Sequence, residues 1–271
     1  MKLFDIDFES FRLESFETEK SQIFEELKQL APLYYLGIEK RRYELYEKSL
    51  ELVTKKEYAS GGYSVFRGYY CPFLYKTFAV GGCNRGTLLK RVTKKSKISY
   101  EYGYEKDQLI LVKEFEDDTP EKPARKECVS AEFIERRGDI EIGVQVPLHR
   151  GNMDEVYESI ELFTVCQYMG EQAYCKRQIL CHEDRPGLKI DTIKRRVDYR
   201  KEWVTYQNGK PKKIDYFSHY RMWNEVNSIT LCFDEHGIPV QYYHGDEKDR
   251  LYDVTKVNRK YYAQQYGMND L

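Results

Sequence analysis

The dipeptide Asn208-Gly209, flanked on both sides by strand-forming residues, constrains this chain more than any other feature. Both central residues of a tight hairpin turn need positive φ, which asparagine and glycine tolerate. Arg196 to Arg221 therefore reads as one long β-hairpin closed by that turn. An unbroken ladder places Gln207 opposite Lys210, Trp203 opposite Ile214, Lys201 opposite Tyr216 and Val197 opposite Tyr220, with Tyr199 on the same side. The other face collects Arg196, Asp198, Arg200, Glu202, Lys213, Asp215, His219 and Arg221. One largely apolar and one largely charged face is the pattern of a sheet packed on one side.

The rest of the chain extends this pattern. Thr18 caps an expected helix with Ile23, Phe24, Leu27 and Leu30 at helical spacing, ended by Pro32. A second helix is expected over Ile38–Glu57, with Tyr43, Tyr46, Leu50 and Val53 as its buried stripe, and Gly61-Gly62 breaks it. Strand signals follow at Tyr63–Tyr70 and Leu74–Val80, and then in a hairpin of Ile98–Tyr104 with Leu109–Phe115. The near face of that hairpin would hold Tyr100, Tyr102, Leu109 and Leu111. Gly138-Asp139 suits a second two-residue turn, setting Phe133 against Val144, Ala131 against Val146, Glu135 against Ile142, Arg136 against Glu141 and Glu132 against Gln145. A short helix is expected at Met153–Ser159, then a strand pair, Ile160–Tyr168 with Ala173–His182. Ile229–Phe233 and Ile238–Tyr243 form a last hairpin, pairing Phe233 with Ile238, Leu231 with Val240 and Ile229 with Tyr242, before a tail with helical character at Lys256–Gln265. Successive hairpins with short loops predict an α+β chain, mainly antiparallel β: a meander of amphipathic hairpins with two N-terminal helices. Residues 1–60 would form a helical N-terminal segment and 61–271 an antiparallel β-sheet domain, as two units or one continuous domain.

Composition narrows the function classes. Hydrophobic content is 41%, and no apolar run approaches the ~20 residues needed to span a bilayer. The acidic start Met1–Asp7 is unlike a signal peptide, so a cytoplasmic location without membrane association is expected. A formal charge of −1 gives no bulk attraction to nucleic acid. The seven cysteines lack framework spacing, so in a reducing cytosol free thiols are expected, with no disulfide among Cys166, Cys175 and Cys181 under reducing conditions.

Four candidate chemistries fail on their residues. Gly81 to Thr87 lacks the lysine a phosphate loop needs before its Ser/Thr. Cys175 and Cys181 on one strand lie about 20 Å apart, with His182 on the other face, so no metal site is expected. Asp198 and His219 fall opposite one another, but no nucleophile is near and a surface ion pair suffices. The basic runs Arg85–Lys97 and Lys189–Lys201 with interleaved tyrosines suit single-stranded nucleic acid in composition, yet the alternation that buries those tyrosines favours a structural role. Neither catalytic residues nor a cofactor are expected.

Two stretches share a pattern: Trp203-Val-Thr-Tyr206-Gln-Asn208-Gly209-Lys210-Pro211-Lys-Lys-Ile214-Asp-Tyr216, and Phe233-Asp234-Glu235-His236-Gly237-Ile238-Pro239-Val240-Gln-Tyr242-Tyr243. Each runs from an aromatic residue through polar residues and glycine to a strand ending in tyrosine. This resembles the variant MORN-type hairpin repeat and, more distantly, the tyrosine–aspartate repeat of bacterial toxin shells. Tyr104 to Phe115 is a degenerate third copy without the glycine. The resemblance implies a bacterial antitoxin or immunity-type protein, which binds and blocks a toxin domain and catalyses nothing. The alternatives are a single-stranded nucleic-acid-binding module and an enzyme of unrecognised type. Outward positions of the last two hairpins, Arg200, Asp215, Phe217, His219, Gln241 and Tyr243, are the expected partner-binding set.

Overall fold

The computed structural model describes residues 2–12, 34–35, 37–61, 87–93, 96–115, 128–148, 161–180, 197–220, 225–236, 239–244 and 252–253; for 87, 161, 178–180, 197–200, 218–220, 225–227, 239 and 252 only the backbone is described. The expected strands at 63–70 and 74–80, the glycine loop at 81–86, and the helices at 18–30, 153–159 and 256–265 lie outside these residues.

Among the described residues, thirteen strands form one antiparallel sheet. They are β1 (Lys55–Ser60), β2 (Thr87–Leu88), β3 (Tyr100–Glu105), β4 (Gln108–Phe115), β5 (Cys128–Arg137), β6 (Ile140–Pro147) and β7 (Glu161–Met169). There follow β8 (Gln172–Leu180), β9 (Val197–Gln207), β10 (Lys210–Tyr220), β11 (Glu225–Phe233), β12 (Pro239–His244) and β13 (Tyr252–Asp253). From β3 to β13 every strand pairs with its neighbours in sequence; β1 alone departs from that order, lying between β3 and β2. Two-residue turns set the meander: Gly138, Gly170, Asn208 and Gly209 all have positive φ.

The expected register of β5 with β6 is observed at every predicted pair. That of β9 with β10 holds at Gln207–Lys210, Tyr206–Pro211 and Val197–Tyr220 but not from Lys213 to His219. The ladder shifts between Pro211 and Lys213, so Trp203 faces Asp215, Ile214 faces Val204, and Lys201 faces Phe217. Proline has no N–H to give to a ladder and sits at bulges, which explains the slip. A second shift, between His219 and Tyr220, restores the phase; His219 consequently faces Tyr199 rather than Asp198. Pro239 marks the same device in the last hairpin, where Phe233 faces Pro239, Leu231 faces Tyr242 and Ile229 faces His244, correcting the expected pairs. A bulge between Gly103 and Tyr104 likewise moves Leu111 opposite Gly103, off the face that holds Tyr100, Tyr102 and Leu109.

One α-helix is described, α1 (Arg42–Leu52), with residues 34–35 and 37–40 also helical before it. Its buried positions are Leu45 and Ser49, with Tyr46, Leu50 and Val53 partly packed. Tyr43 is 53% exposed, contrary to the expected stripe, and its hydroxyl donates to the Leu148 carbonyl at 2.7 Å. The expected helix also overran: Lys55–Ser60 is β1, hydrogen-bonded to β3.

Both faces of the sheet bury apolar residues. In a first cluster, Leu3, Phe4, Ile6, Phe8 and Phe11 of the N-terminal strap and Leu45 of α1 pack against Phe133, Val144, Phe163 and Val165. A second cluster gathers Ala173, Val204, Ile214, Tyr216, Leu231 and Tyr242. Val165 pairs with Lys176, whereas Ala173 pairs with Tyr168, so these two clusters occupy opposite faces and meet at β7–β8. Ala59, Tyr100, Tyr102, Val112 and Ile134 form a third cluster, on the face opposite Leu111 and Phe133. The strap is held by polar groups as well. Leu3 and Phe4 donate their N–H groups to Glu135 Oε2 at 2.7 and 2.6 Å, and Arg137 binds the other Glu135 oxygen at 2.7 Å while donating to the Phe4 and Ile6 carbonyls.

The cysteines correct another expectation. Cys166 and Cys175 fall directly opposite each other on β7 and β8, with Cα atoms 4.2 Å apart, and form a disulfide. Cys128 and Cys232 are free, and Cys181 lies outside the described residues. Among the described residues no helix is long and apolar enough to cross a membrane.

Candidate recognition face

The face of β8–β12 opposite the second apolar cluster is built from three rows running across the strands. The middle row is Tyr174–Trp203–Asp215–Thr230–Tyr243. On one side of it lies Lys176–Lys201–Phe217–Ser228, and on the other Gln172–Thr205–Lys213–Cys232–Gln241. Paired residues across a ladder share a face, so these rows follow from register alone.

Three aromatic rings form a continuous ladder. Tyr174 and Trp203, direct cross-strand neighbours, have centroids 4.8 Å apart; Trp203 meets the diagonal Phe217 edge-on at 5.4 Å. Tyr174 is buried, while Trp203 and Phe217 are half-buried and keep part of their surface in water. Beside the rings, Asp215 is fixed from both sides. Lys213 Nζ donates to its Oδ2 at 2.7 Å and Thr230 Oγ1 to its Oδ1 at 2.7 Å. Partial burial on its own would lower the Lys213 pKa, but the hydrogen bond and charge of Asp215 outweigh it and raise it. Burial pushes the Cys232 thiol up, so it is a poor nucleophile at neutral pH. The arrangement offers apolar contact area together with an oriented carboxylate and ammonium.

Of the six expected binding residues, Asp215, Phe217, Gln241 and Tyr243 share this face and are all partly exposed. His219 follows Phe217 by two in the ladder and pairs with Tyr199, so by register it belongs with them. Arg200 does not: it pairs with Ser218 and with Arg177, out of phase with Phe217, because the slip at Pro211 moved β9 by one residue relative to β10. Tyr174 and Trp203 are the residues the sequence reading left out. An unbroken ladder puts Trp203 inward, and Pro211 is the sequence signal that reverses it.

The described residues also hold a polar network on the other face. Ser130 Oγ donates to Glu114 Oε2 at 2.7 Å, Tyr100 to its Oε1 at 3.2 Å, and Gln145 Nε2 reaches both Ser130 and Glu114. Its members satisfy one another. Among the described residues no group of three His, Cys, Asp or Glu side chains is placed to hold a metal ion. In three comparisons with known proteins, no family model, no curated protein and no solved structure matches this chain.

Proposed function

We propose that this protein acts by binding another protein through the β8–β12 face and catalyses no reaction, most concretely as a toxin-neutralising immunity-type protein. The observation that carries the reading is the half-buried Trp203–Phe217 pair beside the fixed Asp215–Lys213 pair. Rigid aromatics supply contact area at low entropic cost, and charged groups held in place supply orientation. The immunity-type assignment rests on the resemblance of Trp203–Tyr216 and Phe233–Tyr243 to MORN-type hairpins. Single-stranded nucleic acid is the less favoured partner, because of the three lysines in these rows Lys176 and Lys201 are buried and Lys213 is paired with Asp215, which leaves little exposed charge for a phosphate chain.

The test compares the full chain with its Phe217→Ala, Tyr243→Ala double variant. A partner isolated on the wild type is titrated by calorimetry while thermal unfolding is followed in parallel. Retained folding with affinity weakened by about 1–2 kcal/mol or more supports the reading. A folded variant that binds unchanged places recognition elsewhere, and oligonucleotide binding that both substitutions abolish replaces the protein partner with nucleic acid.

A further inference from the structure

We propose that the Cys166–Cys175 disulfide is a redox-operated lock on the seam between the two halves of the sheet. Three observations lead there, and none depends on the identity of a partner.

The first is position. The first apolar cluster ends on β7 with Phe163 and Val165, and the second begins on β8 with Ala173 on the opposite face. The β7–β8 ladder therefore joins two cores that do not share a side of the sheet.

The second is what bridges this ladder besides its backbone. Its cross-strand pairs include Val165 with Lys176, Gln167 with Tyr174 and Thr164 with Arg177. Each joins unlike or polar side chains, all of them buried, and the same ladder pairs Leu162 with Ile179 and Tyr168 with Ala173. Arg177 Nε donates to Thr164 Oγ1 at 3.0 Å, and the disulfide is the one covalent tie among the described residues. A cross-link that closes a short hairpin loop removes freedom from the open state. Its loss should be felt at the amides of this ladder, the pairing that joins the two cores.

The third is the setting of the sulfurs. Cys166 is 3% and Cys175 8% exposed, so opening requires the seam to admit a reductant. In the same row Glu141 pairs with Cys166 and Glu202 with Cys175. The disulfide therefore lies in a row with a glutamate on each side of it.

The step is a two-electron exchange with a small dithiol. Its thiolate attacks one cysteine sulfur, the S–S bond breaks, and the second thiol resolves the mixed disulfide. The protein gains two protons and two electrons as Cys166 and Cys175 thiols, and the dithiol leaves as a cyclic disulfide.

The experiment uses the full chain purified without reductant, equilibrated with oxidised glutathione, and compared with the same sample treated with dithiothreitol. Peptide mapping identifies the bond, and amide hydrogen exchange reads its effect. The expected result is a Cys166–Cys175 linked peptide that reduction converts to free thiols. Exchange should then rise about ten-fold or more in β7 and β8, with β5 and β6 unchanged, and return on reoxidation. A Cys166→Ser, Cys175→Ser variant should exchange like the reduced protein and ignore dithiothreitol. Free thiols under oxidised glutathione would overturn the proposal. So would a linked peptide whose reduction leaves exchange unaltered, or a serine variant that still responds to reductant.

Discussion

At the scale of single residues, the chain places ionisable groups where burial decides their chemistry. Cys128 lies at the edge of the first core, its Sγ 3.2 Å from the Ser130 carbonyl. Burial pushes its thiol up to about 12, against the opposing charge of Lys113. Tyr46, packed beside it, is also pushed up to about 12, again chiefly by burial. Both values lie above the ordinary 9.0 and 10.0, so at alkaline pH the folded protein keeps protons that the unfolded chain releases. The stability contribution is therefore full below about pH 9 and is lost as pH rises toward about 12. Urea midpoints measured from about pH 8 to about pH 11 should fall for the wild type and fall less steeply for Cys128→Ala. Equal slopes in the two proteins would show that Cys128 ionises freely in the fold.

At the scale of elements, α1 meets the sheet at a glycine. A Cβ built on Gly103 would lie 2.5 Å from Val53 Cγ2, at the C-terminal end of α1. Close approach is what glycine within a strand permits. Gly103→Ala should cost about 1–3 kcal/mol by overpacking, and adding Val53→Ala should recover part of that loss. Denaturant titration checks both, and a neutral Gly103→Ala would mean that α1 can shift freely on β3. Much of this level was legible in the sequence. Asn208-Gly209 and Gly138-Asp139 announced their hairpins because positive φ is needed there and few residues tolerate it. The β5–β6 register was legible throughout because no proline or bulge interrupts it. The β9–β10 register failed after Pro211, since a bulge shifts alternation by one and exchanges faces until a second shift restores the phase; beyond the bulge near Pro239, β12 is displaced by two residues and keeps its faces. The slip at Pro211 hid Trp203 from the candidate face and puts Arg200 out of phase with Phe217 in the ladder. The helix stripe failed for a different reason. Tyr43 is amphipathic, and its hydroxyl finds Leu148 while its ring stays at the surface.

At the scale of the whole molecule, one continuous sheet carries three apolar clusters, the first on one face and the other two on the opposite face. Alternation in sequence distinguishes two faces of a strand but does not say which is covered, so this arrangement was not legible. Nor was the disulfide, because composition gave seven cysteines without framework spacing and only the β7–β8 register brings two of them together. The arrangement leaves the Tyr174–Trp203–Phe217 ladder on the side away from the second cluster, where Trp203 and Phe217 retain exposed surface. The most direct measurement of whether this face recognises a protein is site-specific photo-crosslinking in the native host. A photoreactive amino acid is placed at position 217 or 243 of the full chain, or at the exposed Tyr43 as a control. A recognition face on β8–β12 predicts the same protein adduct from positions 217 and 243 and none from 43. Adducts to nucleic acid, adducts from position 43 alone, or none from 217 and 243 would contradict it.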